Sequence, residues 1–292
     1  MNLPSWILAY QARCNTHLDV MLEKRYRTIH TAWVETDFFH AIRYAIEGSG
    51  KRLRTILACL SYEYISKRDT PDALIDAFLG IEFLHSYTLV HDDLPAMDND
   101  TLRRWKPTVW KQYGETMAIL VGDALQTVWF ELLANTGKSE VVREISRALG
   151  DLGVVRWQVR DTLVSQKHLS LERLLSLHDE KTGGFIAASM VVWGIMAEAR
   201  EKKLWELREL GILLGRAFQI RDDILDHEWD SEKMGKLVQK DLALGKGIIA
   251  VCGIEKAKIL LHDIEDMMLA LCRSFEDEKW YDIVHFVVHR ER

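Results

Sequence analysis

No proline follows Pro107 in a chain of 292 residues, and apolar side chains return at helical spacing on both sides of it. Strand-type alternation is nearly absent, so the chain is confined to helices joined by polar turns. Ten to twelve helices fit. One spans residues 5–26; Asp37 reads as the N-cap of a second, Phe38 to Glu47, closed by Gly48. Thr55 to Ile65 follows, and Thr70-Pro71 then starts a helix that runs to Asp92. Further helices cover Lys111 to Ala134, Ser139 to about Gln166, and Ser170 to roughly Arg200 with a break at Gly183-Gly184. Lys202 to Asp226 and shorter segments beyond Gly247 complete the set, with Leu94–Val109 and His227–Lys246 as loops. Repeats, low-complexity tracts and an interdomain linker are missing. The expectation is one all-α domain over residues 1–292.

An apolar content of 48% is ample for a buried core. A net charge of −6, with no dense basic run, argues against a nucleic-acid surface. Cys14, Cys59, Cys252 and Cys272 lack metal-type spacing and read as reduced thiols. No basic-then-apolar leader opens the chain, and no uninterrupted apolar run approaches the length of a membrane span. A cytoplasmic protein without stable membrane insertion is expected.

Charge is concentrated in two places. The helix carrying Leu74, Ala77, Phe78, Ile81 and Leu84 ends in His91-Asp92-Asp93-Leu94-Pro95-Ala96-Met97-Asp98, with Asp100 close behind. Two like charges about 4 Å apart repel by roughly 1 kcal/mol in water and about 4 kcal/mol at a protein-like dielectric. Basic partners, protons or cations must offset that. Hard oxygen ligands without sulfur favour magnesium over zinc. Asp92 and Asp98 stand six apart, about 120° out of register on an ideal helix, so the chain must leave helical geometry for both to serve one cluster. Pro95 supports that exit. Far downstream, Asp222 and Asp226 are four apart on one face of a core helix, with Asp223 beside them. Two such clusters suit a magnesium-bound polyphosphate.

Basic residues balance them. Gly50-Lys51-Arg52-Leu53-Arg54 looks superficially like a nucleotide P-loop, but Ala45 replaces its first glycine and Arg52 its Ser/Thr, and a helix rather than a strand precedes it. A glycine turn feeding Lys51, Arg52 and Arg54 into a helix start is nonetheless an anion site. Arg103-Arg104 follows the first aspartate cluster.

Taken in order, Gly50–Arg54, His85-Ser86-Tyr87, His91–Asp98, Leu102-Arg103-Arg104 with Pro107-Thr108, Gly122–Leu125, Lys181-Thr182-Gly183 and Gly215–Asp226 span nearly the whole chain. In this order and spacing they resemble the trans-type isoprenyl diphosphate synthases, above all the bacterial short-chain farnesyl branch. The resemblance implies an all-α helical bundle around a central prenyl diphosphate cavity. It implies a head-to-tail condensation in which an allylic diphosphate ionises with Mg²⁺ (Mn²⁺ as substitute) and its carbocation is attacked by isopentenyl diphosphate. By the same carry-over, Asp92, Asp98 and Asp222 are the principal metal ligands, with Asp93, Asp223 and Asp226 in support. Arg103, Lys181 and Lys236 hold the allylic diphosphate; Lys51, Arg54, His85 and Arg104 hold isopentenyl diphosphate. Gln219 and Thr182 lie beside the carbocation. Tyr87, five residues before Asp92, is the floor that sets a fifteen-carbon product, with Thr88 leaving the path open to it. A homodimer is implied.

The chain departs from the family at Trp105 in place of glycine, Arg156-Trp157 in place of a glycine pair, Thr55 in place of proline and Ile248 in place of threonine. These changes bear on substrate preference, and products of ten or twenty carbons are the alternatives. A terpene cyclase and a non-catalytic partner subunit are rivals of other classes. The second basic set opposes the first, and two intact aspartate motifs oppose the second.

Overall fold

The computed structural model describes residues 3–26, 33–47, 50–163, 170–233 and 247–291. Its helices are α1 (Ser5–Tyr26), α2 (Trp33–Ile46), α3 (Leu53–Ser66), α4 (Asp72–Asp92), α5 (Val109–Tyr113), α6 (Glu115–Ala134) and α7 (Ser139–Leu149). Then come α8 (Val154–Leu163), α9 (Leu171–His178), α10 (Gly184–Met196), α11 (Glu201–Lys233), α12 (Ile248–Cys252), α13 (Ile254–Cys272) and α14 (Glu278–His289). Among the described residues the only strands are the two-residue β1 (Leu102–Arg103) and β2 (Lys106–Pro107), paired antiparallel. The all-α expectation holds.

Residue contacts group the chain into two compact units. Ser5–Glu63 and Lys67–Val142 form one; Tyr64–Ser66 and Arg143–Arg292 make up most of the other. In the first, α4 packs along α6, with α1 and α2 also against α4. α4 buries Phe78, Leu79, Ile81, Phe83 and Leu84 almost completely. α4 and α6 are long and apolar enough to cross a membrane by length and composition, but α4 is two-thirds buried, as a core helix is. In the second unit, α10 packs on α11, which also carries α13 and α14. Every side chain from Phe185 to Trp193 is buried, so α10 shows no polar face.

Several boundaries differ from expectation. Asp37 is not an N-cap, because α2 starts a turn earlier at Trp33. An exposed aspartate inside a helix costs only about 0.7 kcal/mol, less than the burial of Ala41, Ile42 and Ile46 returns. Thr70 does not cap α4 either. Pro71 takes that position, and the Thr70 hydroxyl donates to Glu63 at 2.9 Å. Gly114, at φ 89°, separates α5 from α6, and the Gly150–Gly153 turn separates α7 from α8. The break expected at Gly183-Gly184 is instead one π-helical turn, Asp179–Gly183, between α9 and α10. α11 continues seven residues past Asp226 into the expected loop. The rest of that loop, with Gly235, Lys236, Gly245 and Lys246, lies outside the described residues.

The loop after the first aspartate cluster contains the β1–β2 hairpin. Its two turn residues, Arg104 and Trp105, both have positive φ (51° and 67°), the backbone of a tight hairpin turn that normally selects Asn or Gly. Trp105 is 91% exposed.

Candidate active site

The last turn of α4 delivers the first aspartate cluster. The ring of His91 lies against Gly122 of α6, where an added Cβ would stand 2.0 Å from His91 Nε2. The chain leaves the helix after Asp92, and the Asp98 N–H returns to donate to the Asp92 carbonyl at 2.9 Å. This is the exit that the six-residue spacing demanded. Asp98 is exposed and Asp92 half-buried. Asp93 turns the other way and is 3% exposed. Arg103 grips it through Nε at 2.9 Å and Nη2 at 2.6 Å. Burial holds the Asp93 carboxyl above its usual pKa, although Arg103 pulls it down. In this arrangement Asp93 positions Arg103.

Beside this grip, within the same unit, a cavity is lined by Arg52, His85, Arg103, Arg104 and Lys106, with Glu82 and Asp93 as its only acids. Arg52 is buried and fully engaged: Nη1 lies 3.2 Å from Glu82, Nη2 donates to the Ile46 carbonyl and Nε to Asn15. Glu82's other oxygen accepts the Thr55 hydroxyl at 3.0 Å, which gives the threonine at this position a job that proline could not do. Arg52 therefore shapes the turn, while Lys51 stays exposed. Burial pushes Arg54 down to about 10. Burial, followed by the charges of Arg54 and Arg104, holds His85 well below its usual pKa. Four cationic side chains against two carboxylates leave the cavity net positive, a setting that favours an anion. His85 and Arg104 line the cavity, and the Arg54 charge reaches both. Sequence reasoning missed Lys106, which adjoins the expected arginine pair.

Tyr87 is 7% exposed and meets His91 edge-on, with ring centroids 5.9 Å apart. The Thr88 hydroxyl donates to the His85 carbonyl at 2.9 Å.

In the other unit, α11 presents Asp222 half-buried and Asp226 exposed. Asp222 Oδ1 accepts from Nη2 of Arg290 at 2.5 Å. The Arg290 guanidinium stacks 3.5 Å over the Phe218 ring and also donates to the Phe218 carbonyl. No motif announced Arg290; only the fold brings α14's end to this helix. Asp223 instead accepts the Ile248 N–H at 2.7 Å, at the start of α12. Ile248 itself is fully buried, so an apolar residue suits that position.

The π turn carries Lys181 and Thr182 against α11, where Gly215 lets the two backbones touch. Lys181 Nζ sits 4.2 Å from the centroid of Trp157, a cation–π contact. The tryptophan that departs from the family pattern is thus a seat for this lysine. Thr182 is buried and Gln219 half-buried. Arg216 bonds Asp179 of the π turn at 2.8 and 2.5 Å.

His178, just ahead of that turn, is 8% exposed. Burial, then the charges of Lys181 and Arg216, push it down to about 4. An unfolded histidine titrates near 6.5, so the unfolded state binds more protons between the two values. His178 therefore withdraws about 3 kcal/mol of stability as pH falls from about 6.5 to about 4. Urea titrations across this window should show His178→Leu losing much less stability than wild type; parallel losses would refute the assignment.

Comparisons with known proteins identify the family. The polyprenyl synthetase family model matches residues 35–266. A farnesyl diphosphate synthase of Bacillus subtilis (strain 168) is 35% identical over 261 residues, 85% of this chain and 87% of that protein. Geranylgeranyl pyrophosphate synthase 4 of Arabidopsis thaliana is 34% identical, covering 86% of this chain and 70% of that one. Among solved structures, a geranyltransferase from Legionella pneumophila superposes with a TM-score of 0.82 at 26% identity, over 98% of this chain and 96% of that one. An FPP/GFPP synthase from Zymomonas mobilis gives 0.79 at 26% identity, over 98% and 99%. On the length of the family match and the identity to these relatives, the chain belongs to the polyprenyl synthetase family of prenyltransferases.

Proposed function

We propose that this prenyltransferase condenses isopentenyl diphosphate head-to-tail with dimethylallyl or geranyl diphosphate and stops at farnesyl diphosphate. The observation that carries the fifteen-carbon reading is Tyr87. It is buried in α4 five residues before Asp92, roughly 7.5 Å along the helix axis. A prenyl chain anchored at Asp92 and running back along α4 would meet that ring. Relatives of both farnesyl and geranylgeranyl type match the chain, so the aromatic floor is what favours the shorter product. Incubation with magnesium, isopentenyl diphosphate and each allylic diphosphate should give farnesyl diphosphate. Tyr87→Ala should lengthen it to twenty carbons or more. A cyclic hydrocarbon from one substrate would sink the condensation, and an unchanged product in Tyr87→Ala would move the floor elsewhere.

Asp92, Asp98 and Asp222 offer oxygen donors alone, and the return of Asp98 to the Asp92 backbone supports a shared role in the first cluster. That donor chemistry fits magnesium, which when bound neutralises charge on the leaving diphosphate. Arg103, fixed by Asp93, and Lys181, seated on Trp157, would hold the allylic diphosphate, with Lys236 as the third cation. Both cations are pre-positioned, so little reorganisation is needed as charge builds on the leaving oxygen. Gln219 and Thr182 would line the carbocation. The chain's cytoplasmic location and homodimeric state belong to the same proposal; exposed Ile119, Leu120 and Phe130 on α6 support a covered face.

Lys51, Arg54, His85 and Arg104 would hold isopentenyl diphosphate without metal. Arg54→Ala should raise KM for isopentenyl diphosphate by about 10-fold or more, the scale of one charge-assisted bond, and leave KM for the allylic partner nearly unchanged. Equal rises in both constants would show the two sites wrongly divided.

A further inference from the structure

α13 and α14 pack against each other in the second unit, and they carry a set of ligand-type side chains that the condensation does not use. His285 and His289 stand one turn apart on α14, with Glu265 on α13. One ligand atom from each lies within 4.8 Å of the other two. His289 Nε2 is 2.8 Å from Glu265 Oε1, and the imidazole rings have centroids 4.4 Å apart. Glu265 Oε2 lies 3.7 Å from Nδ1 of His262, one turn back on α13. The Glu265 side chain is only 13% exposed, whereas those of His289 and His262 are 43% and 71% exposed. The carboxylate is thus held by packing and the imidazoles face solvent.

The donor chemistry differs from that of the aspartate clusters. Two imidazoles and one carboxylate, with a position left for a fourth ligand, are a zinc-type set. Imidazole selects zinc, copper or nickel and gives magnesium little. Ligand atoms about 2.0–2.2 Å from a tetrahedral ion sit roughly 3.4 Å apart. The Glu265–His289 pair would open by about half an ångström, and wider separations would close by about an ångström. Side-chain torsions can supply both.

We propose that Glu265, His285 and His289 form a second metal site, selective for a zinc-class divalent cation, with His262 or water as fourth ligand. An ion there clamps the last turn of α14 to α13. Arg290 leaves that turn directly and reaches Asp222, so the clamp steadies the arginine on the second aspartate cluster.

The test uses the full chain, stripped with a chelator and held in excess magnesium to occupy the aspartate clusters. Zinc is titrated calorimetrically, and cobalt is followed by its visible spectrum. The wild type should bind one zinc per chain, give an intense tetrahedral cobalt spectrum, and rise in Tm with zinc. Residues behind a metal ligand already cost 10- to 100-fold in affinity when changed, so His285→Ala with His289→Ala should weaken zinc binding by about 100-fold or more. That pair should also lose the cobalt spectrum and the Tm rise. Both histidines are exposed helix positions where alanine is favoured. Glu265→Gln, close in shape, should weaken binding as well. Equal zinc binding in wild type and the double variant would overturn the proposal. So would the absence of zinc binding by the wild type in excess magnesium, leaving a surface ion pair only.

Discussion

Asp92→Asn and Asp222→Asn should each lower kcat by about 100-fold or more, the scale of losing one group that stabilises transition-state charge. Asparagine keeps the shape of the side chain but removes the charge that holds a hard cation. The two variants should separate in stability. Asp92 ends α4 half-buried, so its replacement should cost little stability. Asp222 accepts from Arg290, whose side chain is only 5% exposed. Removing the carboxylate leaves a buried guanidinium short of its anion. Fully buried pairs lose about 3–5 kcal/mol in that way, but Asp222 is itself 43% exposed, so about 1 kcal/mol is expected after solvent screening. Steady-state rates and denaturant midpoints on the two variants check both statements. Near-normal turnover in Asp222→Asn would mean that its carboxylate serves only to anchor Arg290.

What could be read from the chain beforehand follows from the range of each interaction. Helix type was legible where one buried stripe repeats over many turns, as in α13, which buries Ala257, Leu261, Ile264, Met268 and Cys272. The departure from helix after Asp92 was legible because six-residue spacing and Pro95 leave little alternative. Local geometry set by partners distant in sequence was not. Thr70 looks like an N-cap but is used by Glu63 and Cys59. Asp93 reads as a supporting metal ligand, but its grip by Arg103, through a hairpin whose turn has positive φ at two non-glycine residues, has no sequence signal. Arg290 lies 68 residues from Asp222 and carries no motif of its own. Trp157 could be flagged as a departure, but its use as a seat for Lys181 depends on the π turn, and a mid-helix π turn has no simple period to read.

Gly215→Ala should be a strongly damaging single-methyl change in the second unit. A Cβ at Gly215 would stand 2.4 Å from both Cα and N of Gly183 and 2.8 Å from the Thr182 carbonyl carbon. Favourable carbon–carbon contact begins at about 3.5 Å, so α11 and the π turn must move apart by roughly an ångström. All three atoms are backbone, and no side chain can rotate away. Overpacking typically costs about 1–3 kcal/mol, and the upper end is expected here. The same shift moves Lys181 and Thr182 relative to Gln219 and Asp222, which ride on α11 one and two turns beyond the contact. A misplacement of about 1 Å can cost 100-fold in rate, so kcat should fall by about that factor even where the variant is fully folded. Gly184→Ala is the control, since its Cβ would meet only the Asp179 carbonyl at 3.4 Å. Helix propensity then favours alanine by up to about 1 kcal/mol. Denaturant midpoints and kcat for the pair should diverge in both quantities. If Gly215→Ala matches Gly184→Ala in both, the close packing of α11 on the π turn does not hold the second aspartate cluster in place.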